Sequence, residues 1–295
     1  MKPTRDTSYP IIDTVLHPTD FSDASLIAFH HALKAALIAQ ARLTILHVAT
    51  GESGELIDFP GVRETLARWG LLPADSASSA VPQLGIDVRK IVVKPHEPVA
   101  AVLHYLESHP AELIVLAAHQ HEGRTAWLRH SVARPIARRS GQMTLFIPEG
   151  NAGFVSAADG SVSLQSILVP IAESPEAQPA LEAAARLAAR LNCPSGVFTL
   201  LHVGETEAMP MVQCPEVPGW SWRKWTGQGD VIHGIVDAAQ RADADLVVMS
   251  TDGRNGFLDA LRGSHTERVL RQVPAPLLAV PAGSTAEAHL RAAAR

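Results

Sequence analysis

The stretch from residue 250 to 270, STDGRNGFLDALRGSHTERVL, combines the residue types that bind anions in proteins. An apolar run at residues 245–249 precedes it and predicts a buried strand, and a helix-forming segment follows it. Gly253 and Gly263 let backbone amides approach a phosphate closely, and Ser264 can cap the helix and donate to a phosphate oxygen. The alternative interpretation is an ordinary strand-to-helix loop with turn glycines and an N-cap.

A second group of side chains suits metal chemistry. Its members are an aspartate and three histidines of the first half, Asp20, His119, His121 and His130. A carboxylate beside a His-x-His pair is a suitable donor set for zinc or another transition metal. The alternative is that these histidines are solvated or hydrogen-bonded to backbone in a cleft that holds no metal.

Composition excludes several classes of protein. The net charge is −5 and no basic block occurs, so no nucleic-acid partner is indicated. No apolar run is long enough to span a bilayer, so no membrane partner is expected. The two cysteines, Cys193 and Cys214, have no metal-like spacing and fit a reducing compartment, which predicts a cytoplasmic protein.

The chain repeats itself. Four segments of the first half recur in the second: 14–22 in 166–174, 43–48 in 198–203, 111–116 in 244–249, and 143–148 in 276–281. The offset falls from 155 to 133 in the middle of each half, a difference of 22 residues (155 − 133). A helix is predicted at 61–70 in this gap, whereas the second half has a Pro- and Trp-rich stretch at 209–225. We interpret its tryptophans, Trp220, Trp222 and Trp225, as covering the sheet where the helix is missing.

Each half therefore has the order β-α-β-(α)-β-α-β-α-β. Apolar strands joined by helices indicate a doubly wound parallel sheet, with a ligand crevice where the first and fourth strands separate. The small, polar segment at 149–163 is the predicted linker. We place the domains at residues 1–150 and 151–282, with a tail at 283–295.

The repeated pattern resembles the universal stress protein (UspA-like) family in its tandem, two-domain form. The resemblance rests on a P-x-x-x-S segment that opens each half and on G-S-x-x-E-R-V-L at residues 263–270. It covers the chain from about residue 11 to 281. It implies α/β domains of the Rossmann-like, adenine nucleotide alpha hydrolase-like fold, packed as a pseudo-dimer.

Nucleotide-binding members of that family carry G-x2-G-x9-G-[S/T] after the fourth strand and an aspartate after the first. The second half matches the loop with serine in place of its first glycine, at Ser250, Gly253, Gly263 and Ser264. The first half aligns at Ala117, Gln120, His130 and Ser131, with all three glycines replaced. The family's aspartate is kept as Asp20, but Ala172 takes its place in the second half.

The resemblance therefore implies that an adenine nucleotide such as ATP binds in the second domain. The residues implied are Pro170, Ile171, Ala172, Val203, Ser250, Gly253, Arg254, Gly263, Ser264 and His265. In the first domain, the side chains of Gln120 and His130 would fill the space of a phosphate. The expected role is regulatory or stress-protective. No carboxylate pair for Mg²⁺ is evident beside the loop, so we expect no enzyme beyond slow ATP hydrolysis.

Two alternatives stay open, a protein-interaction module with unidentified protein partners and a metal-binding protein. The last strand of each half would be an open sheet edge unless it is covered. We expect the strands at 145–147 and 277–280 to pair antiparallel within the chain, as copies of this strand do between subunits in the family. A further homodimer is compatible with this arrangement.

Overall fold

The computed structural model describes residues 12–49, 59–94, 97–118, 132–251 and 265–282. Ten strands are found in these ranges: β1 Thr14–Thr19, β2 Arg42–Val48, β3 Asp87–Val93, β4 Leu113–Ala118, β5 Met143–Pro148, β6 Ser166–Pro170, β7 Gly196–Val203, β8 Trp220–Gly227, β9 Leu246–Thr251 and β10 Leu277–Pro281. The α-helices are α1 Asp23–Ala39, α2 Val62–Arg68, α3 Pro98–Ser108, α4 Ala133–Ser140, α5 Gln178–Arg190, α6 Val231–Arg241 and α7 His265–Leu270. No helix in these ranges is long and apolar enough to cross a membrane.

All ten strands form one sheet, in the order β3-β2-β1-β4-β5-β10-β9-β6-β7-β8. Within each half the neighbouring strands are parallel. The first strand of each half lies between the second and the fourth, so the predicted doubly wound fold and its switch points are confirmed.

The two halves meet edge to edge through β5 and β10. These strands pair antiparallel, with Phe146 opposite Leu277 and Leu145 opposite Leu278. The predicted pairing is thus confirmed, and it protects two apolar strands that would otherwise expose unpaired backbone groups. Because every other pair is parallel, the carboxyl ends of the two sets of strands point in opposite directions.

Helices cover both faces of the sheet. One face carries α1 and α5, and their apolar side chains share a single core that spans both halves. In α5 this contact is made by a stripe of fully buried alanines, Ala180, Ala184 and Ala188, at a spacing of four residues. Small side chains on one helical stripe allow the helix to lie close to β9 and β10.

The outer strands are reached by connections of different length. Residues 49–86 join β2 to β3 and contain α2, whereas residues 204–219 join β7 to β8, a difference of 22 residues (38 − 16). The tryptophans lie on the outer strand β8, and two of them cover the sheet on the α5 face, as the sequence predicted. Trp220 and Trp222 cover Phe198 of the neighbouring strand, with ring centroids 4.5 and 4.2 Å away.

The segment between the halves is packed against the first half. We call residues 150–164 the strap. Its backbone forms a short hairpin closed by an antiparallel bridge between Val155 and Val162. Phe154, Val155 and Leu164 are buried in the core on the α1 face. The sequence prediction of a small, polar linker missed these three apolar side chains, whose burial anchors the strap.

Two strap glycines provide a test of this packing. Gly150 and Gly153 both have positive φ angles, 78° and 69°. A Cβ on Gly153 would lie 2.2 Å from the His31 ring, whereas a Cβ on Gly150 would meet nothing within 4 Å. We expect Gly150→Ala to cost only the backbone penalty of about 1–2 kcal/mol. Gly153→Ala should cost about 1–3 kcal/mol more, measured as free energy of unfolding. Equal losses in the two variants would contradict this packing.

Candidate functional site

The second half opens a crevice at the carboxyl ends of its strands. β6 and β9 pair only at Ile167–Leu246 and Leu168–Val247, and then they separate. Residues at the carboxyl ends of the strands lie near this opening: Pro170 of β6, Val203 of β7 and Ser250 of β9. Separated carboxyl ends at a switch point are where doubly wound sheets bind ligands.

Two buried polar atoms at this end of the sheet lack hydrogen-bond partners among the described residues. They are Ser250 Oγ and His202 Nε2. His202 donates from Nδ1 to the Ile171 carbonyl oxygen, at 3.3 Å, so its Nε2 keeps a lone pair. A buried polar atom without a partner destabilises the fold by about 1–3 kcal/mol. A ligand with a donor and an acceptor would remove that penalty.

Both side chains lie on the face of the sheet that carries α5. Ser250 lies two residues after Val248 on β9, and His202 lies two residues after Leu200 on β7. Val248 and Leu200 belong to the core on that face, so the two polar side chains point the same way. Next to them, a Cβ on Gly204 would lie 2.9 Å from His202 Nε2, so glycine leaves room beside this buried nitrogen.

The structure brings together five of the residues implied by the resemblance. Pro170, Ile171, Ala172, Val203 and Ser250 all lie at the carboxyl ends of β6, β7 and β9 or directly after them. His265 is exposed at the start of α7. Gly253, Arg254, Gly263 and Ser264 lie outside the described residues.

His202 is not among the site residues predicted from the sequence, and its counterpart in the first half is His47. The two histidines do occupy equivalent places, because His47 Nδ1 donates to the Thr19 carbonyl oxygen at 2.9 Å, as His202 does to Ile171. The missed feature is the second nitrogen of His202, which is buried without a hydrogen-bond partner among the described residues. The sequence placed His202 at the end of a strand, but it could not show which of the two ring nitrogens would be hydrogen-bonded.

The first half has a matching opening that is bridged by a side chain. β1 and β4 pair at Val15–Leu113 and Leu16–Ile114 and then separate. His17 spans the gap, since its Nδ1 donates to the Val115 carbonyl oxygen at 3.0 Å. Burial lowers the pKa of His17 to about 4, so this imidazole is neutral near pH 7. The equivalent residue of the second half is Val169, which cannot form such a bond.

The proposed metal ligands of the first half are mostly beyond the described ranges. His119, His121 and His130 lie outside them. The Asp20 carboxylate accepts hydrogen bonds from the backbone N–H and the hydroxyl of Ser22, at 3.0 and 2.7 Å. Among the residues that the structure describes, no three His, Cys, Asp or Glu side chains are grouped to hold a metal ion. Zinc binding therefore stays a prediction.

Comparisons with known proteins agree with this architecture. A universal stress protein from Archaeoglobus fulgidus shares the fold over 92% of this chain and 97% of its own, at 18% identity and a TM-score of 0.60. A Pseudomonas aeruginosa protein assigned to the same family matches 96% of this chain and 98% of its own, at 13% identity and a TM-score of 0.58. A universal stress protein solved with cAMP covers 47% of this chain at a TM-score of 0.32, which is too low to transfer a ligand.

No curated protein sequence gives a significant match. The sequence model of the universal stress protein family matches residues 12–148 and 223–281, which together make up more than half of the chain. The first range spans β1 to β5, and the second spans β9, β10 and most of β8, while β6 and β7 lie between the two ranges. The chain therefore belongs to the universal stress protein family, with two copies of the domain in tandem.

Proposed function

We propose that this protein binds an adenine nucleotide such as ATP in the crevice of its second half. The supporting observation is the pair of buried atoms without partners among the described residues, Ser250 Oγ and His202 Nε2, near the carboxyl ends of β9 and β7 on either side of β6. A purine presents both donors and acceptors at its edge, so it suits one hydroxyl and one imidazole lone pair.

The glycine-bearing loop supplies the other half of the argument. Gly253 and Gly263 follow β9 in the sequence and are spaced as in nucleotide-binding members of the family. Backbone amides at such glycines, with the Ser264 hydroxyl, suit the phosphates, and Arg254 adds a positive charge that suits a polyphosphate. Asp252 is the only carboxylate in the loop before Gly256, which favours a regulatory or stress-protective role with little or no turnover.

Replacing Ala172 by aspartate should strengthen nucleotide binding. Ala172 is exposed at the end of β6, where the family has a carboxylate. A restored carboxylate that accepts from the nucleoside is expected to raise ATP affinity about tenfold, as a hydrogen bond to a charged group contributes roughly 1.5–3 kcal/mol. Isothermal titration calorimetry with ATP should show one site per chain, with a lower Kd for Ala172→Asp.

Two variants complete this experiment. Gly263→Asp should abolish binding, because a side chain and a negative charge would occupy the phosphate position. Asp20→Ala removes the equivalent carboxylate of the first half and should leave the ATP affinity unchanged. The proposal fails if the wild-type protein shows neither heat nor a thermal shift at millimolar ATP, which would favour a nucleotide-independent interaction module.

A further inference from the structure

The strap is attached to the first half through one histidine of α1. His31 donates from Nδ1 to the Ile27 carbonyl oxygen at 2.9 Å. Its Nε2 lies 3.0 Å from the backbone nitrogen of Phe154 and 3.2 Å from that of Val155. Both strap groups are N–H donors, so Nε2 must be the acceptor and the ring must be neutral. One lone pair therefore satisfies two backbone donors.

Close contacts surround the hydrogen bonds between His31 and the strap. The Phe154 ring meets the His31 ring edge-on, with centroids 4.8 Å apart and planes at 88°. Gly153 packs directly against the same imidazole, because a Cβ at this position would lie 2.2 Å from the ring. Further along the strap, Trp69 donates from Nε1 to the Ala157 carbonyl oxygen at 3.3 Å. The strap also reaches the second half, where the Asn151 side chain donates to the Pro274 carbonyl oxygen.

Basic side chains near His31 disfavour a positive charge on its ring. His30 is its neighbour on α1, Arg68 of α2 contacts His30, and Lys34 lies three residues further along α1, whereas the strap offers one carboxylate, Asp159. Asp159 interacts with Lys34 and is fully exposed. The pKa of His31 is lowered to about 4, mainly by burial, while the bond to Ile27 raises it and the neighbouring His30 lowers it.

We propose that the strap is an acid-releasable clamp, in which protonation of His31 Nε2 breaks both hydrogen bonds and detaches residues 153–155 from α1. The proton would sit between two N–H groups that also carry partial positive charge, so the strap and the imidazolium cannot share the site. Release exposes Phe154 and Val155, while the β5–β10 pairing still joins the two halves.

The direction of the pH effect follows from the two protonation states. With the strap clamped, the pKa of His31 is about 4, and release removes burial, so the pKa rises towards the ordinary value of 6.5. The clamp is therefore fully formed above pH 6.5, and it weakens as the pH falls towards 4. Between pH 7 and pH 5 the equilibrium for opening should shift about 20-fold towards release.

Hydrogen exchange measured by NMR at pH 7 and pH 5 tests this proposal. The reporters are the Phe154 and Val155 amides, and their protection factors are corrected for intrinsic exchange. We expect about 20-fold lower protection of these two amides at pH 5 in the wild-type chain. His104→Gln, which removes a histidine with an 85% exposed side chain, should behave as the wild type does.

His31→Gln separates the clamp from general acid effects. A glutamine oxygen can accept from the strap but does not titrate, so protection should be lower than in the wild type and equal at the two pH values. Equal protection of the wild-type strap at pH 7 and pH 5 would overturn the proposal. So would a fall in protection that persists undiminished in His31→Gln.

A second measurement covers the case in which this variant does not fold. Nitrogen chemical shifts of the wild-type His31 ring report its protonation directly. We expect the ring to become an imidazolium over the same pH range in which the two strap amides lose protection. An imidazolium that coexists with a protected strap would show that the clamp does not depend on the neutral ring.

Discussion

Phe146→Asp should separate the two halves of the sheet and lower the free energy of unfolding by about 4 kcal/mol or more. Phe146 lies opposite Leu277 at the antiparallel junction and is 2% exposed. Its ring belongs to the core on the face opposite α1, which includes residues of both halves. An aspartate there would remove the apolar contacts and would bury a carboxylate with no partner.

The matched control is Val92→Asp. Val92 belongs to the outer strand β3, and its exposed fraction is 47%. The same charge on this open edge should change the free energy of unfolding by less than about 0.5 kcal/mol. Denaturant unfolding gives the two values, and small-angle scattering should show an extended, two-lobed particle for Phe146→Asp alone. A particle as compact as the wild type would show that the junction does not hold the halves together.

Acidification should destabilise the protein steeply, because three buried histidines are neutral in the folded state. His17, His30 and His31 each have a pKa lowered from 6.5 to about 4, mainly by burial. The unfolded chain binds these protons first, so the stability contributed by the neutral rings is present above pH 6.5 and is lost as the pH falls to about 4. Near pH 5.5 each ring should contribute about 1 kcal/mol per pH unit, or about 3 kcal/mol for the three together.

His17→Gln tests this expectation at one ring. Glutamine can keep a donor for the Val115 carbonyl oxygen, which His17 Nδ1 now contacts at 3.0 Å. The slope of unfolding free energy against pH should then fall by about one third, whatever the change in stability at pH 7. His104→Gln serves as the surface control and should leave the slope unaltered. An unchanged slope in His17→Gln would mean that the folded protein already binds this proton at pH 5.5.

Local patterns predicted most of the architecture. Unalternating apolar runs, each followed by a helix, indicate parallel strands covered on both faces, and their repetition indicates two copies of one domain. The junction could be predicted because Leu145 and Leu277 lie in apolar strands that would otherwise be open edges. The strand β8 was harder to predict from the sequence, since its tryptophans suit either a covering segment or a half-exposed outer strand.

The candidate site also combines features that the local sequence determines with features that depend on the tertiary structure. The spacing of Gly253, Gly263 and Ser264 is a property of the sequence, because a phosphate loop is made by neighbouring backbone amides. The role of a histidine depends instead on residues far away along the chain. His31 bonds Phe154 across 123 positions, and His202 bonds Ile171 across 31. Whether an imidazole nitrogen is bonded, buried or left for a ligand is set by burial and by such distant partners, so only the tertiary structure decided it.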